Sequence, residues 1–280
     1  MFAVLFFKII PTGFISRVFG YITRIEFPRF VLDSAIKKYI KTYGVNENEI
    51  EYPEGGFKTF DQFFTRRLKK GIHKIDSNTD SIVSPVDARI EQFGKISKDR
   101  TIQAKGIKYK VDSLIPSVMA ERFINGDFIT LYLSPADYHR IHSPANGMIK
   151  GYFYIPGKLF SVQEYMVNGI PGLFCRNERL ITYLKNKAGL MAVCKIGAMN
   201  VGRISLSYAR ILTNKTFKKK LEIFFSQKEQ TSIKKGSEIG IFHLGSTVIL
   251  LFEKNMIEFT NINTGRKLRM GQRIAHIKQS

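Results

Sequence analysis

The texture of the chain changes once, near residue 68, and that change limits the fold more than any other feature. Ahead of it, apolar residues recur at helical spacing. Beyond it come short runs rich in β-branched and aromatic residues and punctuated by Gly and Pro: Phe128 to Leu133, Ile149 to Ile155, Leu190 to Ile196 and Thr247 to Phe252. Runs of this kind read as strands. The sequence therefore predicts an α+β protein, with amphipathic N-terminal helices in residues 1–56 and a mainly antiparallel β body in residues 57–280. No Pro/Ser-rich or low-complexity linker interrupts the chain after Phe60, so the β body reads as one domain with the helices as an appendage.

In the helical region, Phe14, Ile15, Val18, Phe19, Ile22 and Ile25 form one stripe, with Ser16, Arg17, Thr23 and Arg24 opposite. A second helix is expected from Pro28 to a left-handed stop at Gly44. Val31, Leu32, Ala35, Ile36, Tyr39, Ile40 and Tyr43 lie on one side of it, and Asp33, Ser34, Lys37, Lys38 and Lys41 on the other. Periodicity alone favours packing of both stripes on the core. The apolar run Phe2 to Ile10 tilts the reading towards helices lying on an anionic membrane, where basic flanks add charge attraction. That run has no basic start and no small-residue cleavage site. Lys8 and Pro11 interrupt it well short of the roughly 20 apolar residues a span requires. It is expected to be neither cleaved nor spanning. Phe60 to Leu68 reads as one further short amphipathic helix.

Two internal echoes refine the β body. Ser84-Pro-Val-Asp-Ala-Arg-Ile90 matches Ser143-Pro-Ala-Asn-Gly-Met-Ile149, and Lys235-Gly-Ser-Glu-Ile-Gly240 matches Met270-Gly-Gln-Arg-Ile-Ala275. Each pair places a turn residue before a strand, which predicts hairpin corners used twice in a barrel-like sandwich. Lys215 to Lys220 reads as a solvated loop or a sheet edge guarded by lysines. Cys175 and Cys194 lack the spacing of a redox or zinc pair and read as buried thiols.

With 44 Lys and Arg against 23 Asp and Glu, the net charge of +21 attracts phosphate, on nucleic acid or on lipid. The chain carries no RRM-type aromatic motif, helix-turn-helix or zinc-finger spacing, which argues against nucleic acid. The densest site-like stretch is Leu133 to Pro144, where His139 and His142, two of the five histidines, follow a strand. A His-x-x-His pair can ligate a metal, but no third Cys or His stands at a familiar spacing, and no metal is expected. Asp87 lies at the corner that echoes the one after His142, so duplicated geometry would bring the two close. Ser246 lies in Phe242-His-Leu-Gly-Ser-Thr-Val248. There Gly245 introduces a serine at the mouth of an apolar strand, and a glycine leaves its carbonyl open to attack.

Together these stretches resemble the phosphatidylserine decarboxylase family, in particular its bacterial membrane-associated members. The resemblance runs through Phe60 to Leu68, Ser84 to Asp87, Tyr138 to His142, Gly157-Lys-Leu-Phe-Ser-Val162, Phe174-Cys-Arg-Asn-Glu-Arg179, Gly197-Ala-Met-Asn-Val-Gly202 and Lys234 to Gly240. It closes on Leu244-Gly-Ser-Thr247. One departure is Ala88, where the family usually has Gly.

The resemblance implies that Asp87 orients His142 and that His142 is the general base for Ser246, which attacks the carbonyl of Gly245 in its own chain. Residues 1–245 (the β chain) would separate from residues 246–280 (the α chain), and Ser246 would become a pyruvoyl group, the cofactor. That group would form a Schiff base with phosphatidylserine and release carbon dioxide to leave phosphatidylethanolamine. His139 is implied at the substrate carboxylate or in reprotonation, and His243 lines the cleavage site or serves the structure. The resemblance further implies a homodimer of αβ units on the cytoplasmic side of the cell membrane, held peripherally. The rival readings are a serine hydrolase acting on an external ester or peptide, and a non-enzymatic basic module.

Overall fold

The structure is a computed structural model of the chain and describes residues 12–97, 100–104, 107–199, 203–214, 219–243 and 246–278. Phe2 to Ile10, the end of the Gly197 motif at residues 200–202, lysine-run residues 215–218, and Leu244 and Gly245 lie outside the described residues.

Among the described residues two helices come first, α1 (Thr12–Ile22) and α2 (Arg29–Tyr43). α2 ends at Gly44, in the left-handed conformation, as its sequence predicts. Its stripe divides: Leu32 and Ile36 join Val45, Ile50, Phe57 and Phe63 in a small core, whereas Phe30 and Val31 are exposed. α1 is inside out. Its buried residues are Thr12, Ser16 and Gly20, one per turn, while Phe14, Ile15, Val18, Phe19, Tyr21 and Ile22 face outward. The amphipathic pattern is as predicted, but the small and polar side packs on the protein.

α3 (Phe60–Phe64) is capped by Thr59, whose hydroxyl accepts from the Gln62 N–H at 3.1 Å. It is shorter than the helix expected through Leu68. The Thr65 hydroxyl closes on the Asp61 carbonyl, Arg66 turns inward to the carbonyls of Ala136 and Asp137, and Arg67–Leu68 pair as a strand with Ile50–Glu51.

The β body contains β1 (Ser81–Val83), β2 (Ala88–Lys95), β3 (Asp127–Leu133), β4 (Arg140–His142), β5 (Gly147–Ile155) and β6 (Arg179–Asn186). It continues with β7 (Gly189–Ile196), β8 (Arg203–Leu206), β9 (Glu238–His243), β10 (Ser246–Phe252), β11 (Ile257–Phe259) and β12 (Arg273–Ile277). The long sheet runs Leu221–Phe224, β5, β6, β7, β10, β3, β2, Lys267–Leu268, with antiparallel pairing throughout. Two three-stranded sheets, β8–β9–β4 and β11–β12–β1, share a core with one of its faces. Short helical segments at 111–114, 118–123, 164–169 and 173–176 cover the other. Along β10, Val248, Leu250 and Phe252 enter the first core and Ile249 and Leu251 the second, which is why that strand reads as an unbroken apolar run. Among the described residues the long sheet keeps two free edges, so the body is a sandwich and does not close into a barrel.

The corners singled out by the sequence echoes are built alike. Ser84 Oγ donates to the Val86 carbonyl at 2.6 Å and Ser143 Oγ to the Ala145 carbonyl at 2.7 Å. Gly271 N–H donates to the Ser84 carbonyl and Gly236 N–H to the Ser143 carbonyl, both at 2.9 Å. Met270 N–H donates to Asp87 Oδ1 at 2.7 Å, and Lys235 N–H to Asn146 Oδ1 at 2.9 Å. Equivalence extends to register, since β9 on β4 and β12 on β1 slip at matching places, Glu238/Gly240 and Arg273/Ala275. The two corners also hold each other. Val83 N–H donates to the Pro144 carbonyl and His142 N–H to the Pro85 carbonyl, at 2.9 and 2.8 Å. The body is thus an approximate two-fold repeat with β7 and β10 at its centre, and it draws Asp87 and His142 towards one place.

Candidate active site

His142 ends β4, and His139 stands at the entry to that strand. The loop between β3 and β4 is fastened from the helical side. Tyr39 Oη donates to the Pro135 carbonyl at 2.8 Å, Arg66 to the Ala136 carbonyl at 2.8 Å, and Arg140 Nε to the Thr65 carbonyl at 2.8 Å. Arg140 also pairs with Glu238 at 2.7 Å. The motif Phe60 to Leu68 is therefore a clamp on the histidine loop, a role its sequence did not disclose.

Both ring nitrogens of His142 are engaged. Nδ1 lies 2.8 Å from the Gly236 carbonyl and Nε2 lies 3.3 Å from Tyr138 Oη. A carbonyl only accepts, so the network assigns the proton to Nδ1 and leaves the lone pair on Nε2, facing the Tyr138 hydroxyl. Burial holds the pKa of His142 below the usual histidine range, against the pull of the Gly236 carbonyl and Glu238. Burial thus favours the neutral ring, and its accepting nitrogen could take a proton once the Tyr138 hydroxyl moves aside.

Asp87 stands where the duplicated corners bring it, but its carboxylate meets other partners. Oδ1 accepts from Met270 N–H at 2.7 Å and from His73 Nε2 at 2.8 Å, and Oδ2 lies 3.4 Å from Arg269. No hydrogen bond joins it to His142 among the described residues. The part expected of Asp87, fixing the tautomer of His142, is filled in this arrangement by the Gly236 carbonyl. The route from Asp87 to His142 runs through rings: His73 lies 4.9 Å from Tyr138, and Tyr138 stacks on His142 at 5.7 Å, centroid to centroid. His73 is a residue that sequence reasoning missed. It lies in a segment with no motif, and only its residue type marks it.

His139 is fully buried and stacks on Phe64 at 4.1 Å, with 21° between the rings. Burial first, and the nearby Arg66 guanidinium second, push its pKa down to about 3, although the Ser134 and Pro135 carbonyls oppose the shift. Neither ring nitrogen makes a hydrogen bond of good geometry among the described residues. An imidazole left in this condition inside a protein calls for an explanation, and a reacting group absent from the resting chain is one. Ser246 opens β10 with its backbone opposite Leu133, at the end of the strand that leads into the histidine loop. Its side chain, like Gly245, lies outside what the structure describes. Beside it, Thr247 Oγ1 is buried without a hydrogen-bond partner among the described residues.

A cavity of about 620 Å³ lies on the Asp87 side, bordered by Arg66, Asp87, Tyr132, Asp137, Tyr138 and Arg269. No cluster of three or more His, Cys, Asp or Glu side chains suited to a metal ion occurs among the described residues. Cys175 and Cys194 are free thiols, each pushed up to about 12 by burial.

Residues 60–276 match the family model for phosphatidylserine decarboxylase. The chain belongs to that family. It is 41% identical over 272 residues to the phosphatidylserine decarboxylase proenzyme of Myxococcus xanthus, covering 96% of each chain. It is also 41% identical over 270 residues to the proenzyme of the same name from Brevibacillus brevis, covering 95% of this chain and 94% of the relative. A third, from Acinetobacter baumannii, is 40% identical over 274 residues.

Family membership gives the remaining motifs a place. Asn177 ties three of them together, because its amide meets the Phe160 N–H and carbonyl and the Gly197 carbonyl, at 2.8–3.0 Å. Ala88, the departure from the family pattern, is not among the described residues with positive φ, so the turn after Asp87 makes no demand for glycine.

Proposed function

We propose that this chain is the precursor of a phosphatidylserine decarboxylase, that it cuts itself between Gly245 and Ser246, and that Ser246 becomes a pyruvoyl group. The observation that carries this reading is the match along nearly the whole chain to proteins named as proenzymes of that activity. The geometry supports it with a buried His142 whose Nδ1 is held by the Gly236 carbonyl, leaving Nε2 as the accepting nitrogen, occupied at rest by the Tyr138 hydroxyl.

In the self-cleavage, His142 Nε2 takes the proton of the Ser246 hydroxyl as Oγ bonds to the Gly245 carbonyl carbon, and the acyl group passes from nitrogen to oxygen. Loss of the α-proton of Ser246 then breaks its Cβ–Oγ bond. Gly245 leaves as a carboxylate, and water replaces the amine nitrogen of the remaining unsaturated residue, releasing ammonia. Tyr138, on Nε2 at rest, has to yield that nitrogen to the serine.

The surroundings fit a pyruvoyl group, since Thr247, next to residue 246, keeps a buried hydroxyl without a hydrogen-bond partner among the described residues, and His139 stands in the loop that follows Leu133, the residue opposite Ser246. A pyruvoyl group supplies an electron-accepting carbonyl that captures an amine and draws in the electron pair of a departing carboxylate. His139 is assigned the substrate carboxylate and the proton that replaces it. It rests neutral, and an arriving anion would raise its proton affinity, with the buried Arg66 as a second cation nearby.

We also read the chain as peripheral to a membrane. No helix among the described residues is long and apolar enough to cross one. The outward apolar face of α1 supports a lipid surface as its neighbour.

Intact-mass measurement of purified protein tests the central reading. Fragments 1–245 and 246–280 are expected, the second with a blocked N-terminus, and Ser246→Ala should abolish both cleavage and carbon dioxide release from phosphatidylserine vesicles. An intact chain that still decarboxylates would overturn it.

A further inference from the structure

His243 is the last described residue before the Gly245–Ser246 bond, and its imidazole is held from both sides. Nδ1 lies 3.0 and 3.1 Å from the two carboxylate oxygens of Asp61, and Nε2 lies 3.2 Å from Ser205 Oγ. The carboxylate accepts, so Nδ1 carries a proton and Nε2 takes the Ser205 hydroxyl. The three residues come from α3, β8 and the end of β9, and all are only partly exposed.

The order Asp, His, Ser is that of a nucleophilic relay, but the surroundings of Ser205 argue against one. Ser205 sits within a strand, opposite Ile241 on one edge and bridged to Leu212 on the other. A serine nucleophile works beside donors poised for an oxyanion, commonly where a strand turns into a helix, and mid-strand pairing offers no such place. The arrangement is instead a clamp on the ring of His243.

What the clamp holds is the upstream end of the cleavage segment. Downstream, Ser246 is fixed by the ladder that pairs β10 with β3 from Leu133 onwards. Upstream, among the described residues, the backbone of His243 is opposite Arg203 alone, at the last described pair of its strand. Attack by a side chain on the carbonyl before it needs reacting atoms about 3–3.5 Å apart, and a misplacement of about 1 Å can cost 10²-fold in rate. A strand end that frays would spoil that placement. Asp61 is itself anchored, because its N–H donates to the Thr23 carbonyl just beyond α1 at 2.8 Å.

We propose that His243, gripped by Asp61 and Ser205, is a positioning residue for self-cleavage, fixing the chain immediately ahead of the bond that breaks. The inference rests on cleavage at Gly245–Ser246. His243 acts by where it is held and transfers no proton to the reacting atoms.

Cell-free translation followed by intact mass over time gives the test. His243→Ala should slow loss of the precursor by about 10-fold or more. His243→Gln, whose amide can donate to Asp61 and accept from Ser205, should recover most of the rate. Asp61→Asn should lie between wild type and His243→Ala. Each substitution is also placed in the uncleavable Ser246→Ala chain, where an unchanged melting midpoint separates slow chemistry from poor folding. A wild-type rate in His243→Ala overturns the proposal. So does a folded His243→Gln as slow as His243→Ala, since that outcome makes the imidazole an acid or base. A wild-type chain that never yields residues 1–245 overturns the cleavage reading itself, a failure distinct from the other two.

Discussion

His139 shows how a single side chain ties the stability of the chain to pH. Its folded pKa of about 3 lies well below the value near 6.5 of an unfolded histidine. Between those values the unfolded chain binds a proton that the native chain refuses, so stability is complete above about 6.5 and is lost as the pH falls towards 3. For one such group the loss from pH 7 to pH 5 is about 2 kcal/mol, and His142, shifted in the same direction, adds to it. Urea unfolding of the Ser246→Ala precursor and of its His139→Leu derivative at both pH values checks this. The drop in unfolding free energy should be smaller in the derivative by about 2 kcal/mol. Equal drops would mean that His139 charges as readily in the native chain as in the unfolded one. The histidine pair was legible in the sequence from its spacing and its Pro-bounded segment. Its partners were not, because Gly236 and Phe64 reach it from distant parts of the chain. His73 stands only 14 residues before Asp87, and it was hidden because its segment carries no motif.

At the scale of elements, the echoed corners make a comparison within one molecule. Gly236 and Gly271 occupy equivalent left-handed positions, with φ of 80° and 89°. An added Cβ at Gly236 would meet Ile75 side-chain atoms from 2.9 Å, whereas at Gly271 it would meet Ile75 at 2.6 Å and the Lys74 carbonyl oxygen at 2.9 Å. A side chain can rotate aside more easily than backbone can move. Alanine at either position should cost about 1–2 kcal/mol for the left-handed conformation alone, and Gly271→Ala should cost more than Gly236→Ala. Melting of both variants in the Ser246→Ala chain settles the order, and a reversed order would argue that the Ile75 contact is the stiffer one. The sequence disclosed the repeat through Ser-Pro and Lys-Gly or Met-Gly echoes, and it located β3, β5, β7 and β10 to within a residue or two but passed over the equally long β2 and β6. It could not disclose that the corners exchange backbone hydrogen bonds, since those depend on groups every residue has. Nor could periodicity say which side of α1 faces the protein. The stripe is the same either way, and small residues at positions 12, 16 and 20 decide it by close packing.

For the whole molecule, the proposed membrane reading predicts separable contributions from charge and from the outward face of α1. The net charge of +21 attracts anionic headgroups over a range set by the Debye length, about 10 Å at 0.1 M salt and 3 Å at 1 M. Apolar burial does not weaken with salt in this way. Phe14, Val18 and Ile22 are 58%, 43% and 43% exposed, so replacing them removes little that the fold uses. Each such side chain, once buried in lipid, contributes on the order of 1.5–3 kcal/mol. The triple variant Phe14→Asn, Val18→Asn, Ile22→Asn should therefore bind vesicles of mixed anionic and neutral lipid at least about 10²-fold more weakly than the parent chain. Melting within about 1 °C of the parent would accord with surface changes of this kind. Raising the salt should separate the two contributions, leaving the parent with residual binding and the variant with almost none. Cosedimentation at two salt concentrations reads both effects. If the variant binds as well as the parent at high salt, α1 does not face the lipid, and its exposed apolar side must be covered by something else.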